Sequence, residues 1–305
     1  MVDNDIVLAA AQSWKGAQLA LATVVSTWGS APRPRGSHML VHADGRFEGS
    51  VSGGCVEGDI LDTAAQVIAG APFQLKRYGI ANESAWEVGL PCGGEISVVV
   101  QPVSENGFDP ELFDRIGESR AGGKSLTVLT DLATGLSRLG PAEEGDSFAN
   151  RYDPPRRLLI VGAVQIAQSL AALAQPLGIE TVVIDPRGRF LTEERFPGVT
   201  LDDRWPDEAI AAWKPSRSTA VVTLSHDIKI DDPALIAALA ADTGYVGALG
   251  SRRSHAARRE RLSAAGVGAD QIDRVEGPVG IDIGAVGSSE IALSIAAAMV
   301  RTFNR

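Results

Sequence analysis

Residues 156–178 read RRLLIVGAVQIAQSLAALAQPLG, and this stretch decides the fold. Leu158 to Val161 is an unbroken aliphatic run with no polar alternation, which is expected of a strand covered on both faces. Gly162 ends it, and IAQSLAALAQPLG carries helical spacing up to Gly178. Downstream the same alternation repeats. ETVVIDPR reads as a strand, and STAVVTLS, DPALIAALAADTG, YVGALGS and HAARRERLSAAG continue it as strand, helix, strand and helix. EIALSIAAAMVRTF closes the chain as a helix. Strands alternating with helices predict a parallel sheet with helices on both faces, a doubly wound α/β domain of Rossmann type over 157–305.

The turn after the first of these strands would carry a dinucleotide if the domain bound one. That fingerprint is G-x-G-x-x-G/A, each glycine permitting a different close approach. Here Gly162 fills the first place and Ala167 the third, but Val164 stands in the second. A β-branched side chain there obstructs a pyrophosphate and resists positive φ. Asp185 lies 23 residues after Gly162, where a ribose-binding acid belongs. Gly162 and Asp185 are therefore the candidate contacts for NAD(P), and Val164 argues against that ligand. A Rossmann scaffold put to another use is favoured over an NAD(P)-dependent oxidoreductase.

Working back from this domain, residues 141–156 (PAEEGDSFANRYDPPR) are polar and contain a proline pair, which reads as a linker. Residues 1–140 mix elements. A helix from about Asp5 to Lys15 leads into a strand, Leu19 to Ser26, and two short strands flank Ala43-Asp44-Gly45 as a hairpin. ISVVVQPV and Leu126 to Asp131 are further strands, so this half is α+β.

The chemistry in this half sits on two glycine-rich loops. In the first, Gly53 and Gly54 precede Cys55, with Glu57 two residues on at the start of an amphipathic helix. Backbone N–H groups at a helix N-terminus favour a thiolate and attract anions, which suits a soft metal or a sulfur-transfer step. A small cysteine that merely packs is the plain alternative. The second loop, Pro91-Cys92-Gly93-Gly94-Glu95, repeats the theme. The two cysteines stand 37 residues apart with no C-x-x-C pair, so a zinc site is not expected. Arg33 and Arg35 flank Pro34 in a turn, where held guanidinium groups would suit an oxyanion. His38 and His42 fall on one face of a strand and read as structural. His226 follows a strand at the carboxyl end of the sheet, where ligands bind in such folds, although an exposed loop histidine is the commoner case. Five arginines between 252 and 261 read as a solvated helix face.

A formal net charge of -10 and a pI near 5.0 disfavour a nucleic-acid partner. Asp3 and Asp5 occupy the place of a signal peptide's basic region, and no run approaches the roughly 18 apolar residues of a membrane span. The cytoplasm is the expected compartment, with the cysteines reduced.

Together these motifs resemble the XdhC/CoxI family of accessory factors for xanthine and carbon monoxide dehydrogenases. The resemblance rests on TWGSAPRPRGSHMLV, GSVSGGCVEGDI and LPCGGEISVVVQP in the first half. In the second half it rests on RRLLIVGA, VVIDPRGRF, VVTLSHD, YVGALGSRRS and PVGIDIGAVGSSEIALSIAAAMV. It implies an N-terminal XdhC/CoxI-type domain followed by the Rossmann-like one. It also implies a maturation factor rather than a catalyst of metabolite turnover. Such a protein binds molybdenum cofactor, protects it during sulfuration and delivers it to a molybdenum hydroxylase. A cysteine desulfurase would be a further partner and a homodimer the assembly. By the same resemblance Cys55 is the molybdenum or sulfur contact and Cys92 the second. Where the family commonly has glycine-alanine-glycine-histidine, this chain has Gly162-Ala163-Val164-Gln165.

Overall fold

The proline pair marks a real division. A computed structural model describes residues 3–79, 94–141 and 145–304, which fall into two units parting between Pro154 and Pro155.

In the first unit, α1 (Asp3–Ser13) precedes β1 (Leu19–Trp28), β2 (His38–His42) and β3 (Phe47–Gly49). Then come α2 (Glu57–Ile68), β4 (Gln74–Tyr78), β5 (Glu95–Pro102) and α3 (Glu111–Ala121). The strands β6 (Leu126–Asp131), β7 (Ser137–Leu139) and β8 (Ser147–Tyr152) end it. The main sheet has the antiparallel order β3-β2-β1-β5-β4. β1 is buried from Leu19 to Val25, and its period of two divides it between two cores. Ala20, Ala22 and Val24 pack with Ile60, Ala64 and Val67 of α2. Leu19 and Leu21 pack with residues of α1 and α3, among them Val7 and Ile116. In α2 the buried residues Ile60, Thr63, Ala64 and Val67 follow the i, i+3, i+4, i+7 stripe of an amphipathic helix.

A second small sheet, β7-β6-β8, corrects the reading of 141–156 as linker throughout. Ser147–Tyr152 pairs antiparallel along the whole of β6, and Phe148 and Tyr152 are buried. Two inward aromatics in a polar stretch were enough to make a strand once β6 offered an edge.

The second unit contains β9 (Arg157–Val161), α4 (Gln165–Ala174), β10 (Glu180–Ile184), β11 (Thr200–Asp202) and α5 (Pro206–Trp213). It continues with β12 (Thr219–Thr223), α6 (Ile228–Ala240), β13 (Tyr245–Ala248), α7 (Arg252–Ala264), α8 (Ala269–Ile272), β14 (Val275–Glu276) and α9 (Ser288–Phe303). All six strands are parallel, in the order β11-β10-β9-β12-β13-β14. Numbered within the unit this is 3-2-1-4-5-6, the Rossmann order, whose topological switch point lies between β9 and β12. Leu158 and Ile160 face a core with Leu170 of α4 and Ile295 of α9. Leu159 and Val161 face the opposite core with Ile210 of α5 and Leu235 of α6. Burial on both faces explains the unbroken apolar run from which the fold was read.

Candidate functional site

The first glycine-rich loop closes on a carboxylate of its own. Glu57, the first residue of α2, turns back into the loop that precedes it. Its Oε1 accepts from the Ser50 hydroxyl at 2.6 Å, Ser52 N at 2.9 Å and Val51 N at 3.3 Å. Its Oε2 accepts from Gly54 N at 2.8 Å, Val56 N at 3.2 Å and the Ser52 hydroxyl. Burial pushes the Glu57 carboxyl upward, but these donors outweigh it and hold its pKa down at about 2. Gly53 and Gly54 take φ of 76° and 119°, which lets the chain wrap the carboxylate. The backbone donors expected to receive an anionic ligand thus bind Glu57, and Gly53 N binds the Ser50 hydroxyl at 2.8 Å. Glu57 anchors the loop. Cys55 stands on this tied loop as a free, exposed thiol.

The turn before β2 is also tied inward. Arg35 Nε donates to Val25 O at 2.9 Å, and its guanidinium lies 5.1 Å over the Phe148 ring. Arg33 is half-buried beside it. Gly94 approaches this turn so closely that a Cβ would lie 2.6 Å from Ser30 O. Glu95 pairs with Trp28, so the end of the second glycine-rich loop and the turn holding both arginines meet at one end of the sheet. Cys92 and Gly93 lie outside the described residues. His38 is fully buried, with Nδ1 2.9 Å from Thr23 Oγ1 and Nε2 2.7 Å from Tyr152 Oη, so it is structural. Among the described residues no group of three or more His, Cys, Asp or Glu could hold a metal ion, and no described helix is long and apolar enough to cross a membrane.

In the second unit the glycine turn is engaged in the same manner. Gly162 takes φ 103°, and a Cβ there would meet Ser225 N at 2.7 Å, so glycine is required for chain packing. Val164 N bonds Gly162 O at 2.9 Å. Asp185 is fully buried, and its carboxylate accepts from Ala163 N at 2.8 Å and Arg187 N at 2.9 Å. The Arg187 guanidinium completes a bidentate pair at 2.9 and 2.8 Å. Burial raises the Asp185 carboxyl, and Arg187 together with the two N–H groups brings it below the ordinary carboxylate value. Both carboxylate oxygens thus accept from two donors each within the unit.

Two crevices lie at the carboxyl edge of this sheet. One, of about 300 Å³, runs past Val164, Ile166, Leu224 and Ile291. The other, of about 160 Å³, is bounded by Ile228, Asp231, Ala257 and Arg258. His226 and Leu249 line both. His226 takes φ 61°, one of two described non-glycine residues with positive φ. Arg258 and Asp231 were missed from sequence. Both are buried, and Arg258 sits four residues before Leu262, the other buried residue of α7. That spacing places an arginine of the basic cluster on the core side rather than on a solvated face.

Fold and site define a two-domain protein joining an α+β domain, with an exposed cysteine on a carboxylate-tied glycine loop, to a Rossmann domain whose turn is closed by its own aspartate. Residues 14–79 match the XdhC and CoxI family, and residues 158–299 match the XdhC Rossmann domain. The chain is 32% identical over 297 residues to the molybdenum cofactor insertion chaperone PaoD of Escherichia coli, covering 94% of this chain and 84% of that one. It is 27% identical over 316 residues to a probable xanthine dehydrogenase subunit from Bacillus subtilis, covering 93% of each. A crystal structure of a xanthine dehydrogenase from Bacillus halodurans superposes with a TM-score of 0.79 at 26% identity, over 100% of this chain and 96% of that one. The protein belongs to the XdhC/CoxI family.

Proposed function

We propose that this protein is a molybdenum-cofactor chaperone that receives the cofactor, shelters it during sulfuration and delivers it to a xanthine dehydrogenase-type hydroxylase. The observation that carries this reading is the similarity to an insertion chaperone over 94% of the chain. The cofactor is cargo, and the residues present suit transient holding. Cys55 offers an exposed thiol as one soft contact, with a backbone fixed by Glu57 so that binding costs little loop ordering. Arg33 and Arg35, Gly53, Gly54, Gly94 and, outside the described residues, Cys92 and Gly93 are the remaining candidate contacts in this domain. The sulfur would come from a cysteine desulfurase. A cytoplasmic homodimer is the setting in which we place it.

The test is anaerobic incubation of the purified protein with molybdenum cofactor, followed by gel filtration and fluorescence of the retained pterin. Wild type retains it and Cys55→Ala loses most of it. Retention by both variants would remove Cys55 as a contact. Retention by neither would refute the chaperone reading.

A further inference from the structure

The crevice of about 300 Å³ opens at the topological switch point, between Val164 after β9 and Leu224 after β12. Val164, Ile166, Leu249 and Ile291 wall it, and each is only half-buried although it packs on the core behind. Gln165, His226 and Ser288 also line it, and none of their side chains hydrogen-bonds another described residue. No aspartate, glutamate, lysine or arginine belongs to the lining. Val164 is also the departure from the dinucleotide fingerprint. At that place a dinucleotide fold brings bare backbone to the pyrophosphate. Here the residue is extended, at φ -89° and ψ 178°, and its β-branched side chain is crevice wall.

We propose that this crevice binds a neutral aromatic ring without a phosphate tail, its faces on the aliphatic walls and its polar edge toward Gln165, His226 or Ser288. Charge decides the class. An ion of either sign would leave water and meet no opposite charge in the lining. The polar groups agree, because an amide, an imidazole and a hydroxyl between them both donate and accept, which suits a single polar edge of either kind. Size agrees as well. The volume lies at the lower end of the roughly 300–1,000 Å³ of small-molecule pockets, room for one ring system rather than a dinucleotide. A ring has no internal torsion to freeze, which matters where polar contacts are few. His226, held at φ 61°, is the kind of strained backbone position that gathers at ligand sites. The site stands on the geometry of the second unit alone and does not depend on the chaperone reading.

The experiment is calorimetric titration of the full chain with indole, with indole-3-acetate and with ADP. Indole is the neutral ring, indole-3-acetate adds a carboxylate to the same ring, and ADP carries its ring on phosphates. Saturable binding of indole is expected, with indole-3-acetate at least about tenfold weaker and ADP not saturating. Val164→Ala trims two methyl groups from the wall and should weaken indole binding by about three- to tenfold. Ser288→Trp, at the half-buried start of α9, fills the crevice and should abolish binding while the urea denaturation midpoint is retained. The proposal is overturned if indole does not saturate, if either charged probe binds as well, or if a folded Ser288→Trp binds indole as wild type does. Absence of indole binding, together with a lower gel-filtration mass for Ser288→Trp, would assign the crevice to a second copy of the chain instead. The comparison of the three probes needs only wild-type protein, so a variant that fails to fold leaves it decisive.

Discussion

Glu57→Gln is the most informative single substitution, because it is isosteric and removes only the charge and one acceptor. Three donors converge on each oxygen of Glu57. In the glutamine variant one oxygen becomes an NH2 group. The serine hydroxyls can rotate to accept from it, but backbone N–H groups lose their acceptor: Val51 and Ser52 in one arrangement, and Gly54 alone in the other, since Val56 N keeps the Ser52 hydroxyl at 2.9 Å. At about 1 kcal/mol for each net hydrogen bond, the loss is about 1–2 kcal/mol. Proton linkage gives an independent figure. A fall from 4.5 to about 2 would correspond to about 3 kcal/mol if fully shielded. The side chain is only half-buried, so solvent screening reduces this to about 1–2 kcal/mol. The two figures describe one interaction and agree.

Amide hydrogen exchange of Ser52 to Val56 reads the effect directly. A loss of about 1–2 kcal/mol in a locally opening loop speeds exchange by about five- to thirtyfold. The sign with pH follows from the lowered carboxyl. Protection supplied by Glu57 is complete above pH 4.5 and is lost as pH falls toward about 2. If these amides exchange in the variant as they do in wild type, Glu57 does not hold the loop and the placement of Cys55 needs another cause.

His38 adds a second, separable pH window. Burial lowers it to about 4, outweighing the backbone hydrogen bond at Ala22, so it stays neutral in the folded protein while the unfolded chain takes up a proton below pH 6.5. Stability is therefore full above pH 6.5 and falls by about 3 kcal/mol toward pH 4, a slope that urea denaturation at pH 7 and pH 4.5 will reveal and His38→Asn will flatten. Asp185→Ala leaves the Arg187 guanidinium and Ala163 N without their acceptor and should destabilise the second unit by about 3 kcal/mol in the same assay; unchanged stability would return Asp185 to the role of a ligand contact. Val164→Gly restores the second glycine of the dinucleotide pattern, yet should not create saturable binding of NADH measured by fluorescence, since Asp185 remains engaged.

The Rossmann unit was legible because its signals are local. Leu158 to Val161 and the helical spacing after Gly162 require nothing from the rest of the chain to be read. β8 was not, because SFANRY becomes a strand only against β6, and the flanking acids and prolines hide its two buried aromatics. Arg258 was hidden by composition. Five arginines in ten residues suggest a wet face, and only the distance of four residues to Leu262 betrays that one of them points inward. Glu57 was visible as a residue but its direction was not. A carboxylate at the first position of a helix ordinarily serves the helix dipole, whereas here it folds back over Ser50 to Val56.

The glycine-rich turns of the two units share one physical feature. A glycine-rich turn at a helix start advertises free N–H groups, and an anionic ligand is the usual explanation. In this chain each such turn is given a carboxylate by the protein itself. Glu57 takes the donors of Val51, Ser52, Gly54 and Val56, and Asp185 takes those of Ala163 and Arg187. An incoming phosphate would have to displace a carboxylate already held by several donors, which opposes tight phosphate binding at either turn. What stands exposed on the closed turn of the first unit is the Cys55 thiol. A site without a free backbone nest binds an anion less tightly, which suits the release that the proposed role requires. On that argument, opening the first loop by Glu57→Ala should strengthen retention of an inorganic oxyanion such as phosphate, measured by equilibrium dialysis. A variant that binds phosphate no better than wild type would show that the carboxylate is not what closes the loop to anions.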